Sequence, residues 1–151
     1  MPPLKGIDRG LNGGALKALE ESGHGERIAI VDPSYAIPEG SRVVSYQGDS
    51  SAQALRGILR LVPLEGPVTC MLADENVTTN EAHEEFIEVI HELGVQADWR
   101  DRHDTDLPDS RYDWRGFYTI VNNSDESTIF LRTRDKKAYA CATFLVGHSQ
   151  E

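Results

Sequence analysis

The sequence predicts an α/β fold: a single three-layer domain over residues 1–151, with a mostly parallel sheet flanked by helices. Three observations predict it. Short apolar runs such as Ile28-Ala29-Ile30-Val31 and Val68-Thr69-Cys70-Met71-Leu72-Ala73 read as strands buried on both faces, the habit of a parallel sheet. Segments between them carry apolar residues at helical spacing. The two patterns alternate nearly throughout, which is how crossover connections between parallel strands look in a sequence. At 151 residues, 39% hydrophobic and 26% charged, the chain is of the size and composition of one globular domain.

The elements follow in order. Apolar positions in 13–21 make the first helix, with Gly23 as its stop. Arg27-Ile28-Ala29-Ile30-Val31-Asp32 is a buried strand closed by an acid and by Pro33, and Arg42-Val43-Val44-Ser45-Tyr46 is a second strand. Ser50 or Ser51 caps a helix to about residue 61, with Ala54, Leu55, Ile58, Leu59 and Val62 in one stripe and Pro63 ending it. Residues 68–73 form the third strand. Thr78-Thr79-Asn80-Glu81 then offers caps and a first-turn acid for a helix to about Leu93, with Phe86, Ile87, Val89, Ile90 and Leu93 facing inward and Gly94 as stop. Val95-Gln96-Ala97-Asp98-Trp99 alternates like a strand, residues 100–110 are a polar loop with four aspartates, and 111–121 read as another helix. Residues 128–133 and 140–146 are the closing strands, joined through the polar Arg134-Asp135-Lys136-Lys137.

Charge and motif content narrow the function. Fifteen Lys and Arg against 25 Asp and Glu give a net charge of −10, which disfavours nucleic acid and anionic membranes as partners. No apolar run reaches the ~18 residues of a membrane span, and the start, Met1-Pro2-Pro3-Leu4-Lys5-Gly6, lacks the apolar stretch of a secretory signal. Cys70 and Cys141 make neither a disulfide framework nor a CxxC zinc site, so a reducing cytoplasm is the expected home. Neither GxGxxG nor GxxxxGK[ST], GxSxG nor HExxH occurs. Leu11-Asn12-Gly13-Gly14 opens a helix but follows no strand, which is weak ground for a phosphate site. His83 and His91 are eight residues apart on one acidic helix, not the four that place two ligands on adjacent turns, and read as surface residues. His103 reads as part of a solvated loop and His148 as a frayed end.

The stretch with chemical content is Gly23-His24-Gly25-Glu26, the strand 28–31, then Asp32-Pro33-Ser34-Tyr35-Ala36-Ile37-Pro38. Glycines leave the backbone bare on both sides of His24, and Asp32 stands at the carboxyl end of a strand, where α/β sheets keep their ligand sites. A purely structural role is also open: Gly23 as a helix stop, His24 as an exposed turn residue, Asp32 as a cap for the Ser34 or Tyr35 amides.

These residues resemble the amino-terminal signature of the RbsD/FucU family, the D-ribose pyranases and L-fucose mutarotases: a Gly-His-Gly/Thr-Asp/Glu turn, a buried strand, then Asp and a proline-containing loop. The eight-residue step from His24 to Asp32 is the family's step. Val43-Val44, Gly48, residues 55–64, residues 67–73, Lys137-Ala138-Tyr139-Ala140-Cys141 and Gly147 are similar to later family segments. Gly-His-Gly-Glu, with Arg115-Gly116-Phe117-Tyr118, lies nearer the fucose mutarotase branch. Two departures stand out: Cys141 occupies the place of a family Asn, and Asp32-Pro33-Ser34-Tyr35 replaces the usual Asp-Ala-Gly or Asp-Ala-His.

The resemblance implies an RbsD-like fold and a cofactor-independent, metal-independent isomerase that interconverts cyclic forms of a reducing monosaccharide, fucose-like or ribose-like. His24 would be the general acid/base, a role that a group of pKa ~6.5 suits. Asp32 would orient it or the sugar, and Tyr139 would give a second proton or a hydroxyl contact. Arg111, Arg115, Tyr118 and Cys141 would contact substrate, although surface roles for the arginines, a strand-edge role for Tyr139 and a buried core role for Cys141 stay open. The resemblance further implies a cytoplasmic homo-oligomer, often a decamer of stacked pentamer rings, with sites near subunit boundaries. Trp99, Trp114, Phe117 and Tyr118 are equally interface anchors or core residues. Two other functions remain: a non-catalytic monosaccharide-binding protein of the same fold, and an isomerase of a non-sugar hemiacetal.

Overall fold

In the computed structural model of the chain, residues 8, 10–23, 25–72, 81–101, 116–122 and 127–147 are described. The apolar run after Arg27 becomes β1 (Arg27–Val31), buried at all five positions, and it sits inside a six-stranded sheet. The other strands are β2 (Arg42–Ser45), β3 (Leu64–Met71), β4 (Ala97–Arg100), β5 (Thr128–Arg132) and β6 (Ala142–Val146), in the spatial order β2-β5-β1-β6-β3-β4. β1 runs parallel to β5, as do β2 to β5 and β3 to β4. Only β6 is reversed, pairing antiparallel with β1 (Ala29 opposite Thr143) and with β3 (Cys70 opposite Ala142). The sheet is therefore mixed, with five strands pointing one way, as the sequence predicts of a mostly parallel sheet.

Strand alternation sends successive side chains to opposite faces. Ile28, Ile30, Cys70 and Leu131 meet one cluster with Ala15 and Leu19 of α1 (Gly13–Glu21), Leu55 and Ile58 of α2 (Ser51–Leu59), and Phe86 and Val89 of α3 (Glu81–Leu93). Ala29, Val31, Met71 and Phe130 meet a second cluster with Phe117 and Val121 of α4 (Phe117–Asn122), joined by Tyr35 and Cys141. Among the described residues three helices cover one face and the short α4 the other, which makes three layers. Local chemistry sets the helix ends. Asn12 Oδ1 accepts from the Ala15 amide at 2.9 Å, Ser50 Oγ from the Gln53 amide at 3.0 Å, and Gly94 with φ 65° follows α3. No helix among the described residues is long and apolar enough to cross a membrane.

Several boundaries differ from the sequence reading. β3 starts at Leu64 rather than 68, because Gly66, with φ 72°, and Pro67 sit in an irregularity between Glu65 and Thr69 that the partner strand tolerates. β4 begins two residues late and ends at Arg100. β6 begins at Ala142 rather than 140, since the amide of Ala140 is given to a side chain instead of a strand partner. Of the helix expected over 111–121, α4 holds the end, and residues 111–115, with Trp114, lie outside the described residues. His83 is not a surface residue as expected. It is half-buried, its Nε2 lies 2.7 Å from the Met71 carbonyl, and its ring meets Trp99 edge-on at 5.0 Å. Trp99 packs against the first core cluster. His91 is exposed, and His103 and His148 lie outside the described residues.

Candidate functional site

The reversed strand builds the site. β1, β3 and β5 end at one edge of the sheet, and β6 begins there, so the residues that enter β6 stand beside those that leave β1 and β3. Asp32 is the first residue beyond β1 and is 4% exposed. Its Oδ1 accepts from the Ser34 amide at 3.0 Å and the Ser34 hydroxyl at 2.7 Å. Its Oδ2 accepts from the amide of Ala140, 3.3 Å away across the edge. The capping role foreseen for Asp32 is thus present for Ser34, and the same carboxylate also fastens the loop that enters β6.

That loop carries Tyr139 at φ 61°, the one non-glycine residue in the left-handed region among the described residues. For an L-residue this conformation costs roughly 1–2 kcal/mol, and it persists only where the surroundings impose it. Here the Asp32 bond to the next amide does part of the imposing. Tyr139 is therefore not the ordinary strand-edge tyrosine its sequence context also allows.

Asp32, Ser34 and Tyr139 form the polar side of a cleft of about 270 Å³, with Ala138 beside them. Tyr35 and Tyr118 form an aromatic wall, their rings 4.9 Å apart, and Met71 and Cys141 supply the sulfur-bearing remainder. Tyr35 is fixed from behind by an edge-on contact with Phe117 at 6.0 Å and by its hydroxyl, which donates to Asn122 Oδ1 at 2.8 Å. Burial raises the Tyr35 phenol well above the ordinary tyrosine range, with the nearby Cys141 pushing the same way. Burial likewise pushes the Cys141 thiol well above its usual value, and the Asp32 charge reinforces it. Both groups keep their protons at neutral pH, so Cys141 stands in the cleft as a neutral thiol rather than a nucleophile. The volume lies just below the ~300–1,000 Å³ of drug-sized ligand sites.

Of the residues picked from the sequence, Asp32, Tyr118, Tyr139 and Cys141 come together in this cleft. His24, Arg111 and Arg115 lie outside the described residues. Ser34, Tyr35 and Met71 also line it and were not picked. Ser34 and Tyr35 carried a signal, since they follow the acid directly. Met71 carried none, being one more apolar residue in a buried strand. A larger hollow of about 510 Å³ lies between α2 and α3, but its cations are engaged: Arg56 lies 2.5 Å and Arg60 3.7 Å from Glu92. It holds no residue of the edge where the strands end. Among the described residues no cluster of three His, Cys, Asp or Glu side chains is placed to hold a metal ion.

Fold and cleft together define an α/β protein of three layers with a small cleft at the carboxyl edge of its sheet, opened where one reversed strand enters. The chain belongs to the RbsD / FucU transport protein family, whose model matches residues 5–148. Among solved structures it is similar to the fucose mutarotase of Streptococcus pneumoniae, described in complex with L-fucose, at 20% identity and a TM-score of 0.72, covering 97% of this chain and 100% of that one. FucU from Bifidobacterium longum aligns at 20% identity and a TM-score of 0.73, again over 97% and 100% of the two chains. RbsD of Bacillus subtilis, described in complex with D-ribose, aligns at 14% identity and a TM-score of 0.66 over 93% and 95%. No curated protein sequence gives a significant match.

Proposed function

We propose that the protein is a cofactor-independent mutarotase or pyranase that interconverts cyclic forms of a reducing monosaccharide. The observation that carries this reading is the convergence of Asp32, Tyr118, Tyr139 and Cys141, picked from separate parts of the sequence, on one sugar-sized cleft. The family and its sugar-bound structural relatives support the same class of ligand. Ring opening takes the proton from the anomeric hydroxyl, breaks the bond from the anomeric carbon to the ring oxygen, and returns a proton to that oxygen. Reclosure on the other face reverses these transfers. In this reading Tyr139 gives a proton or hydroxyl contact, Asp32 accepts from a sugar hydroxyl or orients the acid/base, and Tyr35 and Tyr118 back a C–H face of the ring. Arg111 and Arg115 contact ring oxygens. Met71 and Cys141 give poor hydrogen-bonding partners, so the sugar presents to them a carbon face or a deoxy position.

His24 is the proposed general acid/base, and the sheet constrains how it takes part. Gly25, its neighbour, donates its amide to the Val146 carbonyl at 2.9 Å, at the amino end of β1. Asp32 stands at the carboxyl end. The five residues of β1, at ~3.3 Å each, put about 16 Å of strand between the two positions. That is too far for one imidazole to serve the cleft of its own chain, so in this proposal His24 works in the cleft of a neighbouring copy, in keeping with sites near subunit boundaries.

Magnetisation-exchange NMR tests the reading. Fucose, ribose, galactose and rhamnose are each measured with the protein and with His24→Ala. Accelerated exchange that disappears in the variant supports it; no acceleration for any sugar refutes it. A second reading, a monosaccharide-binding protein without turnover, is favoured by Cys141, whose thiol replaces an amide that both donates and accepts. It is distinguished by saturable sugar binding with no exchange.

A further inference from the structure

Residues 133–138 lead from β5 to the Tyr139 turn, and they hold an ionic cluster, built on a buried Asp135, that the proposed reaction does not use. The Asp135 carboxylate, 2% exposed as a residue, accepts through Oδ2 from the Ser51 amide at 2.9 Å, at the amino end of α2. Its Oδ1 accepts from the Lys137 amide at 2.9 Å and meets the Lys137 ammonium at 3.0 Å. Thr133 Oγ1 bonds Ser51 Oγ at 2.8 Å and the Val31 carbonyl at 3.2 Å, one residue from Asp32. From the same ammonium, Glu85 Oε1 on α3 is also 3.0 Å away. That oxygen is itself closed to solvent, although the Glu85 side chain is 39% exposed, and the Lys137 ammonium is the charge that faces it.

The loop is thus held at both ends. At 140 its amide is tied to Asp32, and at 137 its ammonium spans to a helix in the layer on the sheet's other face. Between the two ties lies the left-handed Tyr139, whose conformation relaxes unless its flanks are fixed. Lys137 itself is not in the cleft. Although partial burial works against its charge, the Asp135 and Glu85 carboxylates outweigh that and raise its pKa, so the tie is charged at neutral pH.

We propose that Lys137 is a positioning residue: by bridging Asp135 and Glu85 it fastens the Tyr139 turn to α3 and sets how much of the protein holds a cleft ready for sugar. The proposal rests on the monosaccharide reading above. A ligand that binds only the ordered turn has its apparent dissociation constant raised in proportion as that turn is depopulated. Releasing the tie therefore raises KM and leaves kcat, which is set once sugar is bound.

The test uses Lys137→Met, Glu85→Gln and Lys137→Arg in the full chain. Glu85→Gln cuts only the α3 end and keeps the Asp135 cluster, so it guards against a fold lost through Lys137→Met. Amide hydrogen exchange of Ala140 reads the turn directly, with Gly25 at the opposite sheet edge as internal control. The expected result is a loss of Ala140 protection of about two- to fivefold in Lys137→Met and Glu85→Gln, with Gly25 unchanged, KM raised by a similar factor, kcat kept and Lys137→Arg close to wild type. Equal loss of protection at Ala140 and Gly25 would make Lys137 an ordinary stability residue and overturn the proposal, as would Ala140 protection that stays at wild type. If the wild type turns over no sugar, the function reading has failed by itself. The Ala140 measurement then still decides the tie.

Discussion

Mixing two inactive variants separates a site within one chain from a site shared between two. His24→Ala removes the proposed acid/base and Asp32→Asn the carboxylate proposed to bind sugar or orient it. Gly25 and Asp32 stand beyond opposite ends of the five-residue β1, and about 16 Å of strand lies between them. A shared site then takes its imidazole from one subunit and its carboxylate from the next. When the two variants are co-refolded in equal amounts and assemble at random, a site is whole only when the Asp32→Asn chain supplies the histidine and the His24→Ala chain supplies the cleft. Each condition holds for half of the subunits, so about a quarter of the wild-type exchange rate per site returns in a cyclic assembly. Exchange NMR on the mixture, against each variant refolded alone, measures it. A mixture no more active than its two parents would refute the reasoning and require His24 to act within its own chain or not at all.

Three further outcomes follow from the same geometry. Tyr139→Phe removes a hydroxyl and keeps the backbone, so sugar exchange should fall by roughly 100-fold, the low end of general acid–base contributions, with an unchanged urea midpoint; an unaltered rate would take the phenol out of the reaction. Cys141→Asn restores at a cleft wall a group that both donates and accepts, so titration calorimetry should show tighter binding of a hexose relative to its deoxy counterpart, and equal gains for both would show that position 141 does not read a hydroxyl. Burial pushes the Cys70 thiol up to about 12, with Asp98 adding to it. Because the folded value is the higher one, its contribution is complete below the unfolded value near 9 and is lost as pH rises toward 12, by about 1.4 kcal/mol per pH unit. Urea unfolding between pH 9 and 11 should be flatter in Cys70→Ala, and parallel curves would refute the assignment.

The layers were legible because they rest on periodicity. Ile28 and Ile30 alternate with Ala29 and Val31 between two apolar clusters, and α2 shows its stripe plainly. The reversal of β6 was not legible. All its residues but Leu145 are as buried as those of β1, and burial on both faces reads alike whichever way a strand runs. His83 was misread because its partners, the Met71 carbonyl and Trp99, come from β3 and β4 and give no sign in the spacing of α3. Asp32 was legible as an acid after a buried strand. That its second oxygen reaches the Ala140 amide, 108 residues on, depends on the sheet order alone. Tyr139 gave no warning of its φ of 61°, since glycine is the usual mark of that conformation and the turn lacks one.

The reversed strand explains why so few residues make the cleft. In a wholly parallel sheet every strand would leave through this edge, and each loop would have to turn back over a helix. β6 instead enters here, between β1 and β3, so the short segment before it lies across the ends of both. Asp32 binds that segment at Ala140, and the Met71 amide donates to the Cys141 carbonyl at 3.1 Å. The same two bonds that close the sheet edge therefore place Tyr139 and Cys141 beside Asp32 and Met71. A substitution that loosens the edge should blunt ligand binding before it lowers global stability, because the edge opens locally while β1 and its neighbours remain packed.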